Sequence, residues 1–196
     1  MGTWTLDPYH TQVEFSAKHL GMMTVRGHFL EVTATGDINV DEPERSRVEV
    51  TINAASIRTH NEKRDNDLRG PYLLEVDKYP AITFKSTKVE AAGSDRFLLT
   101  GDLTIKGTTR TVTLNAIKYG EFTDPNMGHR IGYAAEGKID RRDFGMTFDM
   151  VLDSRLVVSH EIQITIEGEL LEVPEAELVG TEAERQATAE QRSSVS

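Results

Sequence analysis

Apolar and polar residues alternate along most of this chain with a period of two. Val13, Phe15, Ala17 and His19 fall on one face of an extended segment, and Gln12, Glu14, Ser16 and Lys18 on the other. That is the pattern of an antiparallel strand with one dry and one wet face. Val25, Gly27 and Phe29 repeat it against Thr24, Arg26 and His28, and "VEVTINAAS" places Val48, Val50, Ile52 and Ala54 on one side. Five further segments alternate in the same way, starting at Ala81, Arg96, Thr109, Arg130 and Glu161. About eight long strands predict an all-β domain, either an antiparallel barrel or a sandwich. Ala92-Gly93-Ser94-Asp95 and Lys106-Gly107-Thr108 suit hairpin turns, and Asp124 to Gly128 a longer loop.

One stretch breaks the rhythm. In "THNEKRDNDLRGPYLLEVDKYP", Thr59 to Pro80, Asn61 can cap a helix, Glu62 and Lys63 extend it, and Gly70-Pro71 ends it. A single short helix over about residues 61–70 would cover one end of a barrel. From Pro174 the chain becomes rich in Ala, Glu and Gln and poor in apolar residues. The expected organisation is one domain over residues 1–173 and an acidic, partly disordered or helical tail over 174–196.

Composition narrows the function. The chain of 196 residues has no cysteine, which excludes disulfides, thiolate metal sites and cysteine nucleophiles. Its net charge of −10 repels phosphate backbones, so no nucleic-acid partner is expected. No apolar run approaches the length of a membrane-spanning helix. Met1 to Asp7 lacks the basic start and apolar run of a signal peptide, so the expected location is cytoplasmic.

Candidate chemistry is sparse. His10, His19 and His28 are spaced by equal steps of nine, but strand alternation sends them to different faces, and no metal site is expected. His19 shares parity with Val13, Phe15 and Ala17 and is expected to face inward. His60, His129 and His160 fall near strand ends, where solvation is the plain reading. Arg64, Asp65, Asp67 and Arg69 read first as ion pairs within or from the helix, and Asp140, Arg141, Arg142 and Asp143 likewise. Arginines at a barrel mouth can also hold a polar head group. There is no GxSxG elbow and no phosphate-binding glycine loop. Phenylalanine and methionine, seven and six in number, suit either a packed core or an adaptable apolar cavity.

Four segments carry a resemblance. "WTLDPYHTQVEFSAKHLGMMTVRGHF" from Trp4, "RDNDLRGPYLLEVDKYPAITFKS" from Arg64, "LTGDLTIKGTTRTVTL" from Leu99 and "IDRRDFGM" from Ile139 occur in the order seen in YceI-like proteins. The resemblance spans roughly Thr3 to Leu171. It implies a single antiparallel eight-stranded lipocalin-like β-barrel with a long apolar interior. It further implies non-catalytic binding, sequestration or transport of a long-chain polyisoprenoid or a related apolar, quinone-like lipid, with no cofactor and no metal.

Strand parity then nominates Val13, Phe15, His19, Val25 and Phe29 as cavity lining, with Phe84, Leu99, Leu103 and Tyr133 from later strands. Leu68 and Leu73 join them from the helical cover, and Phe144, Met146 and Phe148 from the late segment. Arg64, Arg69 and His19 are the head-group candidates. Three positions depart from the family pattern: Asp67 stands for a histidine, Gly70 for a serine, and Leu73-Leu74 for an aromatic pair, predicting a rim of different polarity and a wider opening. Two alternatives stay open: an enzyme acting on an isoprenoid or quinone in the same cavity with His19 as acid–base group, and a stress-related interaction barrel working through its tail. A homodimer is compatible with all of them.

Overall fold

The computed structural model describes residues 2–174, so the tail expected over 174–196 lies, apart from Pro174, outside the described residues. Strand β1 (Gly2–His19) opens the chain, and its second half pairs with β2 (Met23–Phe29). Their connection, residues 20–22, turns on Leu20 and Gly21, both left-handed at φ 51° and 72°, a geometry that matches the twist of a tight hairpin. β3 (Val32–Ile38) continues the line of β2 beside the first half of β1. The break between them is sealed by Leu30 N and Glu31 N, which donate to Ser56 O and Ser56 Oγ.

The chain then runs through β4 (Arg47–Asn53), β5 (Ile57–Arg58) and helix α1 (Glu62–Arg69). Four long strands follow: β6 (Ala81–Ala91), β7 (Arg96–Ile105), β8 (Thr108–Asp124) and β9 (Gly128–Asp140). A small hairpin of β10 (Val151–Leu152) and β11 (Arg155–Leu156) precedes β12 (Glu161–Glu172). β12 returns to β1, with Trp4 opposite Glu172 and Ser16 opposite Gln163. The sheet therefore closes into an antiparallel barrel of eight staves, the second made of β2 and β3 end to end. Closure leaves no long edge exposed.

The stave count matches the sequence expectation, but the second stave does not stop at Phe29. "VTATGDI" went unread because Thr, Gly and Asp fill most of it and only Ala34 is fully buried. At Gly36 a side chain would strike Arg47 O across the pair, so a close approach of backbones replaces an apolar contact there.

One end of the barrel is plugged. Asn61 Oδ1 accepts from Arg64 N and starts α1, and the helix ends at Gly70, close to the expected bounds. Leu73 and Leu74 behind the helix pack with Ala54, Ile57, Phe144 and Met146 in the buried core at this end. The leucine pair thus closes the barrel and widens no opening, because it is turned inward and not part of a rim. Lys106 Nζ, from the β7–β8 turn, donates to Pro71 O at 2.6 Å and fastens this cover down.

The charged residues here act otherwise than as the expected ion pairs. Arg64 Nε and Nη2 both donate to Thr59 at 2.7 Å, to its hydroxyl and carbonyl. Asp65, buried, accepts from Thr59 N at 2.8 Å. Arg69 donates to Ala55 O at 2.9 Å and Ile57 O at 2.8 Å, while Asp67 is exposed. Helix charges are spent on backbone groups because the 3-10 turn and short β5 before the helix leave carbonyls that no sheet partner takes. Arg142 does pair with Asp140, at 2.6 Å. Arg141 turns inward to 1% exposure and donates to Met146 O, Phe148 O, Ser159 O and Val158 O.

Glycines in the wall decide where the large side chains lie. A Cβ at Gly27 would fall on the Phe15 ring, one at Gly101 on the Phe84 ring and on Lys85 O, and one at Gly137 on Leu114. Phe15, Phe84 and Leu114 therefore lie flat against the staves and do not cross the barrel. Gly101→Ala is expected to cost about 1–3 kcal/mol in urea unfolding, since Lys85 O is backbone and cannot yield. A loss below a few tenths would show that the ring is free to move.

Candidate functional site

The barrel encloses a cavity of about 340 Å³, within the range of ligand pockets. It runs from Leu68, Leu73 and Met146 at the plugged end towards Ile38, Pro43 and Leu170 at the other. Its hollowness follows from residue size. Ala116 and Ala135 are cross-strand partners on the lining, Ala135 also faces Ile166, and Gly137 lies two residues on. Small residues at mid-height leave space that leucine or phenylalanine would fill.

Ten of the fourteen nominated lining residues do line it. Val13, Phe15 and Phe29 contribute from β1 and β2, Phe84, Leu99 and Leu103 from β6 and β7, and Tyr133 from β9. Leu68, Leu73 and Met146 floor it. Phe144 is 1% exposed but lies behind the floor in the plug, and Phe148 packs against that plug from outside. Val25 is half-buried beside Ala17, which lines the cavity in its place.

His19 is exposed and not on the lining. Parity is right up to Ala17, but His19 ends β1 at the hairpin, bridged to Val158, and its side chain is exposed there. Arg64 and Arg69 are likewise outside the cavity, held by the backbone contacts above. None of the three head-group candidates meets the lumen. The three evenly spaced histidines have separate neighbours: His10 beside Asp7, His19 at the turn, and His28 against the His60 ring at 5.5 Å.

The end opposite the helix carries a line of charged groups around His129. Lys118 Nζ meets Glu121 at 2.6 Å, Glu121 meets His129 Nε2 at 2.8 Å, and His129 Nδ1 meets Glu172 at 2.8 Å. The chain links β8, β9 and β12, and the His129 ring stands edge-on to the buried Trp4 of β1 at 4.9 Å. Both imidazole nitrogens face carboxylates, so both must carry hydrogen. Partial burial opposes that charge, but the bonds to Glu172 and Glu121 outweigh it and raise the pKa above the ordinary histidine value.

A raised folded pKa gives stability that is complete below the unfolded value of about 6.5 and is lost as pH climbs through the folded value. The stability gap between wild type and His129→Gln should therefore be widest below the unfolded value and narrow as pH rises past it. Denaturant titrations across that span test it; a constant gap would mean that the ring is neutral throughout.

A second polar cluster lies on the outer wall, where β1 bulges against β12. Leu6 pairs with Leu170 and Thr11 with Gly168, so Asp7, Pro8, Tyr9 and His10 stand against Glu169 alone. Asp7 is buried at 3% exposure. It accepts from Tyr9 N at 2.8 Å, from Arg130 Nη1 at 2.7 Å and faces His10 Nδ1 at 3.0 Å. Burial favours its neutral form, yet these bonds from His10, Arg130 and Tyr9 hold its carboxyl down to about 2. Asp7, His10 and Glu169 offer three ligand atoms within 4.8 Å of one another. Arg130 Nη1, 2.8 Å from Glu169 as well, already supplies the positive charge between them. The "DPYH" of the opening motif was the available signal for this cluster; its partners on β9 and β12 were not legible without the register.

A closed antiparallel barrel around an apolar lumen, plugged by one helix, defines a lipocalin-like β-barrel. A family model described as "YceI-like domain" matches residues 4–170, and the chain belongs to that family. Protein YceI of Salmonella arizonae is 40% identical over 159 residues, 81% of each chain, and Protein YceI of Salmonella heidelberg matches equally. Among solved structures, the Campylobacter jejuni YCEI protein superposes with a TM-score of 0.71 at 32% identity, covering 81% of this chain and 90% of that one. Burkholderia cenocepacia BcnA superposes at 0.74 and 22% identity, covering 84% and 98%. A polyisoprenoid binding domain from Saccharophagus degradans superposes at 0.64 and 16% identity, covering 89% and 100%, a likeness of fold.

Proposed function

We propose that this protein binds a long-chain polyisoprenoid or a related apolar lipid inside the barrel, and that it holds or carries the lipid without transforming it. The observation that carries the reading is the lumen itself, about 340 Å³ with an almost wholly hydrocarbon lining. A long tail in water has much to gain from such a place, about 0.8 kcal/mol for each buried methylene. Membership in the YceI-like family and the likeness to a domain described as polyisoprenoid binding support it. Among the described residues no helix is long and apolar enough to cross a membrane. A cytoplasmic location is part of the proposal.

A catalytic alternative rested on His19, which is outside the lumen. Of the titratable side chains on the lining, the Tyr133 phenol is pushed up to about 12 by burial, with the Glu121 charge adding to it. It remains protonated at neutral pH and is no base.

Native mass spectrometry of the purified protein, followed by organic extraction, tests the proposal. Co-purified or exogenously loaded prenyl lipid at one chain per barrel is expected. Failure to take up any prenyl alcohol or quinone would refute it, and release of a chemically altered lipid would refute the non-catalytic part.

A further inference from the structure

The lumen has very few polar side chains, and nearly all of them are committed. Thr11 Oγ1 donates to Asp7 O at 2.7 Å. Ser46 Oγ accepts from Asn39 N at 3.0 Å. Arg141 spends its three guanidinium nitrogens on backbone carbonyls and on Asp149. Glu14 and Arg47 belong to the outward face of their strands by alternation with Val13 and Val48. Tyr133 differs from all of these. It stands on the lining, half-buried, and among the described residues its hydroxyl makes no hydrogen bond. Tyr119, one step outside, gives its hydroxyl to Glu167 at 3.4 Å. A tyrosine hydroxyl turned into an apolar enclosure ordinarily finds a partner.

The position of Tyr133 says which part of a ligand would supply that partner. Its cross-strand neighbours are Lys118 and Gly168, in the half of the barrel away from the helix. A lipid whose tail points to Leu68, Leu73 and Met146 therefore brings its polar end to Tyr133. The charge nearby says what kind of polar end fits. Beside Tyr133, Lys118 and His129 are matched by Glu121 and Glu172, and Arg130 by Asp7 and Glu169; Arg47 reaches the lining from β4, across the barrel, and donates to Ser46 O at 2.8 Å. Beside Tyr133, among the described residues, no positive charge is left over for a phosphate, whose burial would be costly without one.

We propose that Tyr133 is the head-group anchor of the lumen, and that the ligand it selects ends in a neutral oxygen, a prenol hydroxyl or a quinone carbonyl, and not in a phosphate. This rests on the lumen being the lipid site. A ligand oxygen would supply the missing partner, which makes Tyr133 the uncommitted hydroxyl of a largely apolar wall.

The test compares wild type with Tyr133→Phe against four probes sharing one tail: geranylgeraniol, a quinone bearing the geranylgeranyl chain, geranylgeranyl monophosphate and the corresponding hydrocarbon. Wild type is expected to bind the alcohol and the quinone on the order of fivefold more tightly than the hydrocarbon, the scale of one neutral hydrogen bond. Tyr133→Phe should erase that preference and leave hydrocarbon binding unchanged, which also shows that the variant is folded. Alcohol and quinone separate the two sources of the oxygen; an advantage for either one supports the anchor. If wild type binds all four equally, or Tyr133→Phe keeps the preference, the anchor is wrong while the lipid site stands. If the monophosphate binds best, the neutral-head assignment is overturned. If wild type takes up none of the four, the lipid-binding reading falls and the anchor with it.

Discussion

Replacing Arg141 by methionine is expected to destabilise the barrel by about 3–5 kcal/mol. The side chain is 1% exposed and makes five hydrogen bonds. Four of them end on carbonyls of Met146, Phe148, Val158 and Ser159, which belong to the irregular segment between β9 and β12 and have no sheet partner on that side. Asp149, the charged partner, is half exposed and can return to water. The carbonyls cannot do so without opening the segment, and each orphaned carbonyl costs about 1–3 kcal/mol. Methionine keeps the arginine stem out to the place of Nε, so the loss reports the missing guanidinium head and its hydrogen bonds. Arg141→Lys should recover only part, because an ammonium lacks the planar fork that reaches carbonyls on two sides. Urea unfolding with an unchanged slope checks this; a loss under about 1 kcal/mol would show that water replaces the guanidinium easily.

Ala135→Phe carries the second large effect, and here function and stability part company. Ala135 lines the lumen between Ala116 and Ile166. A benzyl group there would occupy mid-height, where a prenyl chain has to pass. Uptake of long prenyl lipids is expected to fall by more than about tenfold, while stability changes by less than about 1 kcal/mol, because the ring enters empty apolar space. A filled barrel predicts the reverse: unaltered lipid behaviour and a loss of about 1–3 kcal/mol from overpacking. Measured together, lipid uptake and unfolding distinguish a hollow barrel from a packed one.

Much of this is legible in the sequence alone. Period-two alternation yields the staves, and "NEKRDNDLRG" yields the helix, because both signals are local. The interior face of long strands is also local in origin, which is why Val13, Phe15, Phe84, Leu99 and Leu103, read as inward, stand on the lining. Parity fails where the strand stops bounding an interior, and His19 is misplaced for that reason. β3 escapes notice because Gly36 and two threonines trade apolar contact for backbone approach.

What the sequence leaves hidden depends on pairs far apart in the chain. The Glu121–His129–Glu172 clamp and the Asp7–Arg130–Glu169 contact each join residues of different strands. Their proximity is fixed by the β8–β9 and β12–β1 registers, and both registers shift at a bulge that no pattern announces. Arg141 and Arg142 are adjacent, yet one faces the core and the other pairs with Asp140 outside. Composition treats them alike; the 3-10 turn after β9 separates them.

The claim that a prenyl tail lies along the lumen is tested most directly by affinity measured against tail length in a series of prenols. Each added isoprene unit that enters the barrel buries further methyl and methylene groups at about 0.8 kcal/mol apiece, so affinity should climb more than about tenfold per unit. It should then level off once the tail reaches Leu68, Leu73 and Met146 at the plugged end. Such a rise and plateau is the predicted result; an affinity independent of tail length, from the shortest prenol onward, would contradict it.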